Sequence, residues 1–238
     1  MTEFVNLGSL YLNGQPKDLG VEYNGEVLSF GNTIPGKTIP FVKWGKLLVA
    51  SQCVCTNISW DELNKAGYIF GWPIKIDGAP YLCRSLKVGE KRDVPNEWDS
   101  ILDDLGEDDG LWHWSDGYFW GQETSRHLTS GRAVRGWVSA RHWNGNYVTS
   151  RNVGVGFRPV LEPLAPEPLI SDALIGSSFR IYGPDEDVCG QLVNFSDYDL
   201  VVHPAPQQIL CSGYKWASAI GSHIIIDRSA IAWSEKTD

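Results

Sequence analysis

The sequence predicts an α+β fold: N-terminal β-hairpins, a central region with two helices around a small twisted antiparallel sheet, and a small C-terminal β domain. Three observations predict it. Turn pairs crowd residues 1–50, two capped apolar periodicities stand at 59–67 and 96–106, and a proline-rich stretch precedes an alternating tail. The 238 residues are 42% hydrophobic and 21% charged, which suffices for one sizeable core and a small satellite. With 11 Trp, 9 Tyr and 8 Phe the chain buries too much aromatic surface to stay disordered.

The elements follow in order. Asn13-Gly14, Asn24-Gly25 and Gly31-Asn32 separate short apolar stretches such as Val27–Phe30 and Lys46–Ala50, a pattern of hairpins. Ser59 caps a short helix that carries Trp60 and Leu63 and stops at Gly67. Asn96 caps a second, in which Trp98, Ile101, Leu102 and Leu105 recur at helical spacing before Gly106. Beyond Gly106 the chain reads as loop-rich and aromatic (Trp112, Trp114, Tyr118, Phe119, Trp120) until the apolar run from Val153 to Leu161. Three prolines within 163–168 mark an extended spacer, so the expected divisions are 1–58, 59–162, the spacer, and 169–238. In the tail, Leu192, Phe195, Tyr198, Leu200 and Val202, then His223-Ile224-Ile225-Ile226, suggest a small β unit.

Charge and thiols exclude several function classes. The net charge of −9 sets an acidic surface against phosphate, so direct nucleic-acid binding is not expected. No apolar run is long enough to span a bilayer, and Met1–Asn6 has no signal-peptide character, so the expected place is the cytoplasm or a virion assembled there. Cys53, Cys55, Cys83, Cys189 and Cys211 are read as buried thiols. Cys53 and Cys55 are one close pair where a zinc site needs two knuckles, so neither metal nor other cofactor is expected. Asn57-Ile58-Ser59 and Asn194-Phe195-Ser196 match the glycosylation pattern but carry no meaning without export.

Charge is also segregated. Residues 93–109 hold eight acids and no base, and residues 124–161 hold six arginines and no acid. Two readings stand: the segments pair in the fold, or some arginines join Trp143 and Tyr147 in a contact surface. Asp103, Asp104, Glu107, Asp108 and Asp109 form an acidic surface at a helix end. They lack the alternating spacing of an EF-hand loop, which leaves a solvated end or an oxygen-ligand cation site. The nucleophile elbow, the zinc-protease helix and the phosphate loop are all missing, and Gly154-Val155-Gly156 lacks the third glycine of a dinucleotide fingerprint. His113, His127 and His142 lie in aromatic, polar surroundings and read as packed or surface histidines before general bases.

Arg135-Gly136-Trp137-Val138-Ser139-Ala140-Arg141-His142-Trp143-Asn144-Gly145-Asn146-Tyr147, followed by Arg151 to Val160, resembles the C-terminal half of the C-type lectin fold of the formylglycine-generating-enzyme type. The variable proteins of diversity-generating retroelements share that arrangement. So do proteins of phages and integrated elements of Gram-positive bacteria, whose N-E-W-D helix and G-F-R-P-V-L-E ending are matched by Asn96–Asp99 and Gly156–Glu162. The similarity covers residues 60–162. It implies a C-type-lectin-like fold and recognition, because the copper-binding cysteine pair, the histidine-rich iron site and the calcium-and-sugar signatures of the fold's other members are missing here. In retroelement proteins the variable surface precedes the closing strand. The matching stretch supplies the candidate binding residues Trp143, Asn144, Asn146, Tyr147, Arg151 and Asn152, to which Arg126, His127 and Arg141 are added. The expected function is a non-enzymatic binding protein of a phage or mobile element whose partner is a host or virion protein. It would serve as an inhibitor of host defence or a virion receptor-recognition module. A degenerate metalloenzyme and a structural virion component that forms a homo-oligomer through its C-terminal domain are the alternatives.

Overall fold

The structure, a computed structural model, describes residues 2–164, 170–184, 186–208 and 216–237. Strands take 46% of the chain and helices 13%, so the molecule is mostly β. That corrects the expected two-helix α+β, C-type-lectin-like fold. Contacts divide the chain into two compact units: Met1–Trp72 with Ile76–Leu164, and Pro73–Lys75 with Ala165–Asp238. Among the described residues no helix is long and apolar enough to cross a membrane.

The first unit begins with β1 (Phe4–Leu12), which turns back on β2 (Gln15–Pro16) across Asn13-Gly14. Both turn residues have positive φ, 50° and 72°, as a two-residue hairpin of the primed type requires. After β3 (Val21–Glu22), β4 (Leu28–Gly31) pairs with β1, and β5 (Thr38–Trp44) and β6 (Leu47–Ala50) make a second hairpin. β7 (Cys55–Thr56) leads to α1 (Trp60–Lys65). Ser59 accepts the Glu62 N–H there while Glu62 accepts that of Ser59, a capping box that fixes the helix start. β8 (Trp72–Ile76) and β9 (Ala79–Ser85) precede α2 (Glu97–Leu105), capped by Asn96 and ended by Gly106, with Trp98, Ile101 and Leu102 buried. The one-turn α3 (Asp109–Trp112) follows.

Residues expected as loop then form three strands, β10 (Tyr118–Thr124), β11 (Gly131–Gly136) and β12 (Trp143–Tyr147), before β13 (Val155–Phe157) and β14 (Pro159–Pro163) close the unit. One sheet has the order β2-β1-β5-β6-β14-β9-β8, with β4 alongside β1; the other runs β12-β11-β10-β13-β7-β3. The N-terminal hairpins therefore share a sheet with the closing strand. Pro163, expected in the spacer, pairs with Tyr81 in β14. It is tolerated because the pairing to β6 is confined to Val160 and Leu161. Ala165 to Pro168 of the expected spacer lie outside the described residues.

The core of this unit gathers Val42, Val49, Trp98, Trp112, Phe119 and Val160. Trp98 meets Trp112 and Phe119 edge-on, both at 5.1 Å, an arrangement worth about 0.5–1.5 kcal/mol per pair beyond its area. Arg158 is buried beside them. Its guanidinium donates to the carbonyls of Ala50, Ser51 and Trp112 and lies 4.7 Å from the Phe119 ring centre.

The second unit is a sheet of β15 (Ser178–Tyr182), β16 (Asp187–Phe195), β17 (Asp199–Pro204), β18 (Ala217–Ile220), β19 (His223–Asp227) and β20 (Trp233–Lys236), ordered β18-β19-β17-β16-β15-β20. Leu192, Leu200, Val202, Ile224 and Ile226 point into its core, as their alternation suggests, with Phe195 partly covered. Tyr198 departs from the pattern at 78% exposure because it sits in the turn between β16 and β17.

Candidate functional site

The stretch singled out by sequence starts on β12, the edge strand of its sheet, and continues as a loop into β13. Strand alternation splits its first residues. Trp143 turns inward, 6% exposed, and its indole N–H donates to the Gly89 carbonyl at 2.8 Å, so it belongs to the frame and not to the exposed ribbon. Asn144, Tyr147, Arg151 and Asn152 are exposed and Asn146 is half-buried. The Asn144 and Asn146 side-chain oxygens accept the N–H groups of Gly145 and Tyr147 at 2.8 and 2.9 Å. In an antiparallel ladder these alternate donors point away from β11, so the two asparagines cap the free edge of the sheet.

The loop beyond β12 is fastened. Arg151 donates to the carbonyls of Tyr23 and Asn57 at 2.9 and 3.1 Å and lies 3.5 Å from Glu62. Asn152 accepts the Gly154 N–H on its side chain, while its carbonyl takes the N–H groups of Asn57 and Val155. In the β10–β11 connection, Arg126 pairs with Glu90, and the exposed His127 stands edge-on to Trp143 with centroids 5.5 Å apart.

The acidic and arginine-rich segments meet. Arg135, 1% exposed, donates to Asp99 at 2.6 Å and to the carbonyls of Val88 and Arg141. Arg141 holds Glu107 at 2.5 Å and Asp103 at 2.7 Å, contacts that raise its own pKa. Asp104 takes the Trp44 indole N–H, and Asp108 caps α3. Asp109 accepts from both the hydroxyl and the backbone of Ser115, which holds its carboxyl below the usual carboxylate range. The five acids are thus engaged, two of them by the arginine segment; Asp109 is half-buried and the other four are exposed. Among the described residues no group of three or more His, Cys, Asp and Glu is placed to share a metal ion. Burial raises the Cys55 and Cys83 thiols and pushes Cys53 up to about 11, so these sulfurs stay protonated and unreactive at neutral pH. Cys55 and Cys83 are buried as expected, Cys53 and Cys189 are only half-buried, and Cys211 lies outside the described residues.

Sequence reasoning missed the neighbouring apolar group. Trp137, Val138 and Val153 are 53%, 63% and 59% exposed. The Gly136-Trp137 turn has φ values of 111° and 70°, and an added Cβ on Gly136 would lie 2.5 Å from the Gly117 carbonyl oxygen, so glycine is required there. Beneath Trp137, at 5.4 Å, lies the ring of Tyr118, whose hydroxyl meets His142 Nε2 at 3.1 Å and Asn144 Nδ2 at 3.3 Å. Burial lowers the His142 pKa, and the cations Arg92 and Arg135 lower it further, so its ring is neutral at pH 7. His142 also lines a cleft of about 450 Å³ with Arg92, Asp99, Arg135, Ser139 and Arg141. The signal available in the sequence was the pair Gly136-Trp137, a bulky residue directly after a glycine in a turn. No family model matches the chain, and neither a curated protein nor a solved structure matches it.

Proposed function

We propose that this chain is a non-enzymatic protein-binding module that recognises a host or virion protein of a phage or mobile-element system. Its contact surface comprises Trp137, Val138 and Val153 together with the outer residues of β12 and the loop to Arg151. The observation that carries the reading is the exposed Trp137 turn resting on the hydrogen-bonded group Tyr118, His142 and Asn144. Exposed large apolar side chains mark interaction surfaces, the Trp137 ring lies against Gly154 next to Val153, and aromatic residues held in place lose little entropy on binding. The fastened loop adds Tyr147 and Asn152 on the same principle.

Recognition by apolar and aromatic contact is better supported than occupation of a nucleic-acid-binding groove. Arg141 already pairs with Asp103 and Glu107, so part of the acidic run is engaged inside the fold and is not free for a basic partner. The test is affinity capture from lysate of the cells that make the protein, at low salt, with wild-type and Trp137→Ala/Tyr147→Ala chains. A protein retained by the wild type and lost by the variant, with unchanged thermal unfolding, is the expected result. Equal recovery by both, or no protein partner for the wild type, overturns the reading.

A further inference from the structure

A second feature lies in the C-terminal sheet and is independent of the recognition surface. β17 and β19 run antiparallel with Val202 opposite Ile224, both buried. One residue further along, on the solvent face, His203 and His223 come together with ring centroids 5.8 Å apart and planes at 67°. Their neighbours on that face are Gln191 of β16 and Ile220 of β18, so no charged residue faces them from the adjoining register positions.

Hydrogen bonds to Ser222 determine which ring nitrogen is available. His203 Nδ1 lies 3.1 Å from the Ser222 carbonyl oxygen. A carbonyl only accepts, so Nδ1 carries the proton and Nε2 keeps its lone pair. His223 Nδ1 lies 3.3 Å from the Ser222 hydroxyl, which can accept in the same way and leave the second Nε2 free. An imidazole oriented through Nδ1 by an oxygen is the usual arrangement of a metal-binding histidine.

We propose that His203 and His223 form a two-imidazole site for a divalent ion of intermediate softness, Zn²⁺ or Cu²⁺, with water completing its coordination. Imidazole nitrogen suits these ions, whereas Mg²⁺ and Ca²⁺ want oxygen ligands. At a metal–nitrogen length of about 2 Å, two imidazoles on one ion have their centroids about 5 Å apart, close to the 5.8 Å found here. No covalent chemistry is implied; the site is a clip across two strands.

The experiment is calorimetric titration of the tag-free full chain with Zn²⁺, and Cu²⁺ electron paramagnetic resonance on the same protein. One equivalent of Zn²⁺ is expected to bind, and His203→Ala and His223→Ala each abolish that step, whereas His127→Ala leaves it intact. Ser222→Ala weakens it by up to about tenfold, the effect of losing one outer hydrogen bond. The Cu²⁺ spectrum of the wild type is expected to show two coordinated nitrogens, a readout that does not depend on any variant folding. Absence of binding, one coordinated nitrogen, or a step that survives both histidine substitutions overturns the proposal.

Discussion

Arg158 shows how a charge can serve a core without a carboxylate. Its fork donates to the carbonyls of Ala50, Ser51 and Trp112, and its face covers Phe119, while no acid pairs with it among the described residues. Burial brings its pKa down to about 10, still high enough to keep it charged at neutral pH. Arg158→Met is expected to lower unfolding stability by at least about 3 kcal/mol, since three buried acceptors lose their donors at about 1–3 kcal/mol each. The measurement is the urea midpoint at constant slope, and Arg158→Lys rescues little because a single ammonium cannot span the same acceptors. His142 supplies a test of the recognition surface at the same scale. Its imidazole is expected to titrate below the ordinary value of about 6.5, read from ring proton shifts. Because the unfolded chain then binds that proton more tightly, stability falls as pH drops through about 6.5 towards the folded value, and is unaffected above it.

At the scale of elements, the two longer helices were legible and three strands were not. α1 and α2 announce themselves through local signals, a cap, an apolar face and a terminal glycine, all within a few residues. β11 and β12 carry Gly, Arg and Asn where alternation should show, because Arg135 is satisfied inside by Asp99 and two carbonyls while Asn144 and Asn146 serve the edge. The same ambiguity governed the site. Tyr147, Arg151 and Asn152 are exposed, as a contact surface would need, but Trp143 is buried because tryptophan suits a core as well as an interface. The exposure of Trp137 depends on a left-handed turn and has no periodic signature. The edge itself can be tested. Asn144→Ala/Asn146→Ala uncaps the Gly145 and Tyr147 N–H groups, and stronger concentration-dependent self-association than that of the wild type is expected in sedimentation velocity.

For the whole molecule, the charge segregation along the chain is matched by ion pairs within the fold. The acids of 93–109 and the arginines of 124–161 come together at Arg135–Asp99 and around Arg141. The two compact units separate at Leu164, next to the prolines that marked a boundary in the sequence. What no local reading could supply was the order of strands within the first unit, where β14 lies between β6 and β9 although more than a hundred residues separate it from β6. That placement has a temporal consequence. On the ribosome, the hairpins of residues 4–50 and strand β9 emerge first and must wait, with two facing rows of backbone groups unsatisfied, until residues 159–163 leave the exit tunnel. The last strand made in this unit is therefore its keystone. Nascent chains arrested before Pro159 are expected to stay protease-sensitive and to need chaperone shelter that the finished chain does without.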